Sequence, residues 1–204
     1  MKAAERHQAL RDALVGAAER AIAANGLAAL RARDLAAEVG CALGTIYTVF
    51  PDLDALILAA NARALEAVDE ALRAAPHEAD PVARLAALAD AYCAFAAGHR
   101  ERWAAVFTHR MTDGRPVPGW YLDLQARLFR HVEAPLALLL PGIAGEALAD
   151  LARAVFSAVH GVVSLGLDGK LGAVAKPALC VQARTVATAI ARGLAHQDTG
   201  RAGA

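Results

Sequence analysis

Residues 41–56 read CALGTIYTVFPDLDAL and are the most informative stretch of this chain. Its first half predicts a short helix that ends near Phe50, because Pro51 disfavours helical geometry at the residue before it. An Asp-rich turn beginning at Asp52 then opens a second helix. Another short helix and Gly40 precede the stretch. The pattern of two short helices joined by a tight turn is the helix-turn-helix signature.

Hydrophobic side chains recur at helical spacing along most of the chain. One stripe at four-residue intervals consists of Leu56, Ala60, Ala64, Val68 and Leu72. The chain is therefore predicted to be all-α, with about nine helices. They cover approximately residues 4–24, 32–39, 43–50, 53–74, 82–98, 101–109, 120–140, 145–167 and 178–195. We expect residues 112–119 to form a loop and residues 197–204 a frayed tail.

A break in this pattern at residues 76–81, which contain two prolines, is the best candidate domain boundary. Residues 1–52 are predicted to form a three-helix helix-turn-helix domain, residues 53–74 a connecting helix, and residues 75–204 a larger helical bundle. The helix at 145–167 is apolar nearly all round and must be covered on all sides. A second copy of the last two helices would cover it in a homodimer. Central placement in a monomeric bundle is the alternative.

Composition restricts the classes of partner. The formal net charge is +0, so no global field attracts the chain to phosphate or to an anionic membrane. Residues 1–60 are not basic overall either, so any nucleic-acid binding must come from local placement of charge. Cys41, Cys93 and Cys180 lie far apart without a CxxC pairing, which indicates reduced thiols in the cytoplasm. The uncharged stretch at 154–167 is too short and too broken to span a bilayer, so no membrane association is expected.

Residues 27–56, LAALRARDLAAEVGCALGTIYTVFPDLDAL, resemble the N-terminal domain of TetR-family transcriptional repressors. The residues that fall at the family's spacing are Asp34, Leu35, Ala36, Gly40, Gly44, Thr45, Ile46, Tyr47 and Phe50. The resemblance implies a homodimer that binds a palindromic double-stranded DNA operator and is released by a small apolar or amphipathic effector. It also implies that Gly44 lets the backbone approach DNA, and that the hydroxyls of Thr45 and Tyr47 reach phosphate or base edges. Thr48 stands where the family frequently has a basic or aromatic polar residue, and we expect its hydroxyl to contact DNA as well.

The predicted DNA-binding helix departs from the family because it contains no Lys or Arg. Ala42 stands where the family usually has Ser, which removes a side-chain cap worth about 1 kcal/mol. Phosphate contacts dominate affinity for DNA, so other residues must supply the charge. We predict that Arg31 contacts phosphate and Arg33 a base edge or the minor groove, supported by Lys2 and Arg6 of the N-terminal arm. The alternative for Arg31 and Arg33 is a solvated position at the start of a helix.

Residues 156–166, FSAVHGVVSLG, resemble the His-Gly motif of the C-terminal subclass called WHG, with Phe156 where that pattern tends to carry Trp. His160 is then the candidate polar group of an effector site, and a core histidine bonded to a backbone carbonyl is the alternative. Aromatic side chains concentrate in the middle of the chain, and ligand pockets are usually apolar with a few polar groups. The predicted lining residues are Tyr92, Trp103, Phe107, Leu124 and His160, with ordinary core positions as the alternative.

The sequence therefore predicts a ligand-responsive transcriptional repressor. The alternatives are an all-α small-molecule-binding or enzymatic bundle with a vestigial DNA-binding motif, and an activator or scaffold on the same fold. We expect no enzymatic activity, because the chain has no paired Glu-x-x-His motifs and no readable nucleophile-base pair. We expect no metal or other cofactor, because His99, His109, His131 and His160 show no metal-binding spacing.

Overall fold

The structure is a computed structural model that describes residues 3–170, 172 and 174–202, with side chains described for residues 4–170, 172 and 174–197. The described residues form nine α-helices: α1 (Ala3–Asn25), α2 (Ala32–Val39), α3 (Leu43–Val49), α4 (Leu53–Ala74), α5 (Pro81–Gly98), α6 (Arg100–Thr108), α7 (Gly119–Leu139), α8 (Gly145–Leu167) and α9 (Lys176–Ala202). Short 3-10 turns lie at Leu27–Ala29 and Thr112–Gly114. The predicted all-α class is confirmed.

Helix boundaries agree with the periodicity except at the C-terminal end. α4 and α8 begin and end at the predicted residues. α9 begins at Lys176, with Pro177 in its first turn where proline is tolerated, and continues to Ala202. The expected frayed tail from residue 197 is therefore wrong as far as Ala202, and residues 203 and 204 lie outside the described residues. Apolar periodicity ends near Leu194, but backbone hydrogen bonds alone can continue a helix through polar residues.

Residues Met1–Ala67 and His99–Leu124 form one compact unit, here called the N-terminal unit. In this unit α1 packs against α2, α3 and α6. Its largest fully buried side chains are Leu14, Ile22, Leu35, Ile46, Phe50 and Leu56. Each such side chain contributes about 1.5–3 kcal/mol by leaving water. The helix-turn-helix thus shares its core with α6, although the predicted functional division near residue 75 stays a prediction.

Residues Val68–Gly98 and Gln125–Ala204 form the second compact unit, here called the C-terminal unit. Within it α9 packs against both α5 and α8. One buried cluster consists of Leu85, Leu136, Ala152, Val155 and Ala191. α8 and α9 approach so closely that a Cβ added at Gly166 would collide with the side chain of Leu179. The tight contact explains why the smallest residue is found at this position.

A disulfide joins Cys93 of α5 to Cys180 of α9, with the two Cα atoms 5.4 Å apart. The expectation of reduced thiols is therefore wrong for these two cysteines. Cys41 is free and half-buried. The two bonded cysteines lie 87 residues apart, a separation that does not indicate a disulfide in the sequence. The packing of α5 against α9 brings them together.

α8 is the most apolar long helix of the described residues. By length and composition alone it could cross a membrane, although the uncharged stretch within it is shorter. The reason is that α8 begins at Gly145, well before the uncharged stretch at 154–167. The core helices of soluble proteins pass the same test. Only 22% of the most apolar window of α8 is buried within the chain, which leaves much of its surface uncovered.

Candidate nucleic-acid interface

Backbone geometry fixes the turn between α2 and α3. Gly40 ends α2 with φ 75° and ψ 35°, a left-handed conformation that favours glycine. The N–H of Cys41 then donates to the carbonyl of Ala36 over 2.9 Å. Ile46 and Phe50 anchor the inner side of α3 in the core, with exposed fractions of 0% and 1%. α3 is therefore held in one orientation against α2, as a helix-turn-helix requires.

The outer face of α3 is open to solvent within the N-terminal unit. Gly44 and Thr48 are exposed, Thr45 is half-buried and Tyr47 is 49% exposed. A Cβ added at Gly44 would meet no atom within 4 Å, so the chain's own packing does not require glycine here. The Thr48 hydroxyl donates to the carbonyl of Thr45 over 2.7 Å and keeps its oxygen as an acceptor. Ala42 begins the helix without a side-chain cap, as its sequence predicts.

The two arginines predicted to contact DNA differ in whether their guanidinium groups already bind other residues of the chain. Arg31 lies at the N-cap of α2, and its Nη1 donates to the carbonyls of Ala28 and Leu30 over 2.8 and 2.9 Å. Arg33 is exposed in the first turn of α2 and makes no hydrogen bond or ion pair with any described residue. Arg6 is exposed on α1, whereas Lys2 lies outside the described residues. The guanidinium of Arg33 is therefore available for DNA. The guanidinium of Arg31 is partly occupied by its hydrogen bonds to the preceding loop.

Two further cations of α1 hold the helices together. Arg20 donates to Glu38 of α2 over 2.9 Å from Nε and 2.7 Å from Nη2. The guanidinium of Arg11 lies over the ring of Phe50, 4.4 Å from its centre, where a cation–π attraction operates. These contacts position α2 and the end of α3 against α1.

A polar cluster ties the start of α4 to the segment after α6. This Asp54 cluster consists of Asp52, Asp54, His109, Thr112 and Arg115. Asp52 caps α4 by accepting the N–H of Ala55 over 2.8 Å. Asp54 accepts the N–H of Thr112 over 2.8 Å and Nη2 of Arg115 over 2.9 Å, while Nη1 of Arg115 binds Asp52 over 2.8 Å. The sequence shows the Asp-rich turn, but it does not show the pairing of Asp54 with Arg115, because the two lie 61 positions apart.

The charge states in the Asp54 cluster follow from burial and hydrogen bonding. Burial raises the pKa of Asp54, but the hydrogen bonds from Thr112 and Arg115 outweigh it and leave that pKa below its ordinary value. The N–H of Ala55, followed by Arg115, also lowers the pKa of Asp52. Burial lowers the pKa of His109, although the charge of Asp54 opposes this effect. At neutral pH the cluster therefore holds two carboxylates, one guanidinium and a neutral imidazole.

Two of the predicted effector-site residues meet in the C-terminal unit. The hydroxyl of Tyr92 on α5 lies 2.7 Å from Nδ1 of His160 on α8, so a side chain from another helix contacts this nitrogen. The ring of Phe156 packs against both, with centres 5.4 Å from Tyr92 and 5.5 Å from His160. Phe129 packs edge-on against Phe156, with ring centres 5.4 Å apart. Burial lowers the pKa of His160, so a neutral polar pair lies in an aromatic wall.

The other three predicted effector residues lie in the N-terminal unit. Trp103 is buried and pairs with Phe107, whose side chain is 43% exposed, with ring centres 5.4 Å apart. Leu124 is buried. The structure thus brings Tyr92 and His160 together and places the others in a different unit, and the complete set stays a prediction. In the described part of the chain no group of three or more His, Cys, Asp or Glu residues could hold a metal ion.

The fold and the exposed α3 define the class of helical, DNA-binding transcriptional regulators. Residues 14–60 match the family model described as "Bacterial regulatory proteins, tetR family". Residues 85–189 match the family model described as "Tetracyclin repressor-like, C-terminal domain". The chain belongs to the TetR family of transcriptional regulators. The narrower resemblance of residues 156–166 to the WHG subclass stays a prediction.

Solved structures share this fold over most of their length. A protein of unknown function from Rhodococcus sp. RHA1 is 26% identical with a TM-score of 0.62, covering 92% of this chain and 94% of its own. A TetR-family transcriptional regulator from Streptomyces coelicolor is 19% identical with a TM-score of 0.64, covering 95% and 89%. RolR, solved in complex with resorcinol, is 17% identical with a TM-score of 0.65, covering 94% and 95%. A comparison with curated proteins finds no match.

Proposed function

We propose that this regulator is a homodimeric repressor that binds a palindromic operator through α3 and is released by a small-molecule effector. The observation that carries the proposal is the outer face of α3, where Gly44, Thr45, Tyr47 and Thr48 form an open, uncharged surface. The helix beneath it is anchored in the core by Ile46. Two copies of α3 would enter successive major grooves about 34 Å apart.

The charge distribution supports contacts that depend on sequence and on the dimer. A recognition helix without cations gains little from phosphate attraction, which normally dominates non-specific binding. Hydroxyls on α3 can instead bond base edges and phosphate oxygens, and the uncommitted Arg33 adds one positive charge beside them. We therefore expect weak binding to arbitrary DNA and a large gain when both copies of α3 engage half-sites together.

The dimer is supported by the uncovered side of α8. The buried face of this helix includes Val155, Val159 and Val163, while Leu165 is 41% exposed on another side. α9 presents Val181, which is 48% exposed. Packing α8 and α9 against the same pair of a second copy would remove this apolar surface from water. Changing Leu165 and Val181 together to Glu should therefore give a monomer in light scattering, and an unchanged mass would contradict this interface.

Operator binding can be measured by fluorescence anisotropy with DNA from upstream of the protein's own gene, in a salt series. Arg33→Ala should weaken specific binding by about tenfold and reduce the salt slope by about one. Arg130→Ala is the matched control, because Arg130 is exposed on α7 in the C-terminal unit and, like Arg33, makes no hydrogen bond or ion pair with any described residue. Absence of specific binding by the wild type at low salt would refute the repressor function.

The effector site is proposed at the Tyr92–His160 pair. A neutral hydroxyl–imidazole pair among aromatic rings suits a small aromatic molecule that carries hydroxyl groups. RolR, which shares the fold, was solved with resorcinol, a molecule of this kind. A thermal-shift screen of small phenols, resorcinol included, should find compounds that raise the melting temperature and release the operator.

Tyr92→Phe should abolish that stabilisation, whereas Tyr47→Phe, the same substitution on exposed α3, should leave it intact. If no compound of the panel stabilises the wild-type protein, or if Tyr92→Phe responds as the wild type does, the effector site is placed wrongly.

A further inference from the structure

The C-terminal unit contains a cavity that none of the predicted effector residues lines. Its walls are the end of α4, the linker before α5, the first turn of α5 and one side of α7. Its volume is about 460 Å³. Small-molecule sites in proteins usually have about 300–1,000 Å³, so the cavity is large enough for a bicyclic organic ligand.

The cavity has an excess of positive charge in a chain whose net charge is zero. Four arginines line it, Arg73, Arg84, Arg127 and Arg130, against two carboxylates. One carboxylate, Asp69, is already engaged, since it binds Arg73 and also accepts Nε2 of His131 at 2.6 Å. The excess positive charge therefore lies on the remaining arginines.

Two of these arginines, Arg127 and Arg130, are free to bind a ligand. The guanidinium of Arg84 is already occupied, because it donates to the carbonyls of Leu72, Ala75 and Pro76 at and just after the end of α4. Arg127 and Arg130 are exposed on α7 and make no hydrogen bond or ion pair with any described residue. Guanidinium groups in this position can clamp a carboxylate through paired N–H donors.

The same side of α7 changes from charged to apolar along its length. Arg127 and Arg130 come first, and Ala134, Pro135 and Leu138 follow on the next two turns and also line the cavity. The side chain of Leu138 is 74% exposed, which is unusual for a leucine of this helix. From Arg130 to Leu138 the helix rises about 12 Å. A ligand lying along this side would meet cations at one end and apolar side chains at the other.

We propose that this cavity binds an amphipathic organic acid, with its carboxylate held by Arg127 and Arg130 and its apolar body against Ala134 and Leu138. A free inorganic anion fits less well, because it would leave the apolar half of the cavity exposed to water. A neutral hydrocarbon fits less well, because it would offer no negative charge to Arg127 and Arg130. The site is independent of the effector site proposed at Tyr92 and His160.

The test uses 2-naphthoate as the probe and isothermal titration of the full chain as the measurement. We expect saturable 1:1 binding by the wild type, weaker binding of the neutral isostere 2-naphthamide, and weaker binding of acetate, which lacks the apolar body. Arg127→Gln and Arg130→Gln should each weaken naphthoate binding by about tenfold, the usual effect of losing a charge-assisted pair. Leu138→Ser should weaken it by several-fold.

The controls separate this site from other binding. Arg153→Gln changes an exposed arginine of the same unit outside the cavity and should leave the affinity unchanged. Tyr92→Phe should also leave it unchanged, which distinguishes the cavity from the effector site. Folding of each variant is checked by its melting curve. Equal affinity for naphthamide, unchanged affinity in both Arg127→Gln and Arg130→Gln, or no saturable binding at millimolar concentration would each overturn the proposal.

Discussion

Replacing Asp54 with asparagine should destabilise the N-terminal unit. The carboxylate is 6% exposed at the start of α4, where it accepts the N–H of Thr112 over 2.8 Å and a guanidinium N–H of Arg115 over 2.9 Å. Asparagine has nearly the same shape, so the substitution removes the charge and leaves the packing in place. The change therefore measures what the charge of Asp54 contributes to holding the segment after α6 on α4.

The magnitude follows from the kind of hydrogen bond that is lost. A hydrogen bond to a charged group contributes about 1.5–3 kcal/mol and a neutral one about 0.5–1.5 kcal/mol. The amide oxygen of asparagine can still accept from Thr112, so about 1 kcal/mol is lost there. The attraction to Arg115 is lost as well, but water screens it because that guanidinium is half-exposed. Relief of the buried charge offsets part of the sum, and we expect about 1–2 kcal/mol in all.

Urea unfolding at neutral pH measures this free energy, with tryptophan fluorescence reporting on the N-terminal unit through the buried Trp103. Arg115→Gln should destabilise the wild type more than it destabilises the Asp54→Asn variant, because the two residues share one interaction. Arg110→Gln is the matched control, since Arg110 is exposed in the same segment and makes no contact of this kind. Equal effects of Arg110→Gln and Arg115→Gln, or an unchanged Asp54→Asn variant, would refute the reasoning.

Three further predictions concern the C-terminal unit. Gly166→Ala should cost about 1–3 kcal/mol in thermal or urea unfolding, because the new methyl group collides with Leu179 and forces α8 away from α9. Reduction of the Cys93–Cys180 disulfide with dithiothreitol should cost roughly 4.5 kcal/mol, the chain-entropy value for a separation of 87 residues. Stability should also fall as pH is lowered through 6.5, the ordinary value for His160, toward its lowered folded pKa, because the unfolded chain then binds the extra proton.

Matched variants check each of the three. Gly193→Ala on α9, where an added Cβ meets nothing within 4 Å, should not destabilise the chain. Cys93→Ser should remove the response to dithiothreitol, and a wild type that melts identically with and without reductant would contradict the disulfide. His160→Gln should flatten the loss of stability between about pH 7.5 and about pH 5.5, and His109, whose pKa burial also lowers, should account for part of the remainder.

The helices of the helix-turn-helix and α4 could be predicted from the sequence, because the residues that start and end them act locally. Pro51 and Gly40 end α3 and α2, and apolar spacing within a few turns gives α4 its exact predicted extent. The openness of Tyr47 and Thr48 also follows from the helical period, which turns them away from the buried Ile46. The roles of these residues toward DNA stay predictions.

The side chains that surround His160 could be predicted from the sequence only in part. The motif around His160 singled out α8, but the residue that its imidazole contacts, Tyr92, lies 68 residues earlier. Aromatic content in the middle of the chain did not separate Trp103 and Phe107 from Tyr92, although these lie in different compact units. Spacing along a helix cannot show which helices pack together.

The all-α class, the family and the positions of the helices up to the end of α9 can be read from the amino-acid sequence alone, because hydrophobic period, helix ends and turn residues act over a few residues. Which distant side chains lie together becomes visible once the helices are packed. The Asp54–Arg115 pair, the disulfide between α5 and α9, and the arginine-lined cavity beside α7 all join residues from separate helices. Their pairing depends on how whole helix faces bury apolar area against one another, a condition that no local pattern contains.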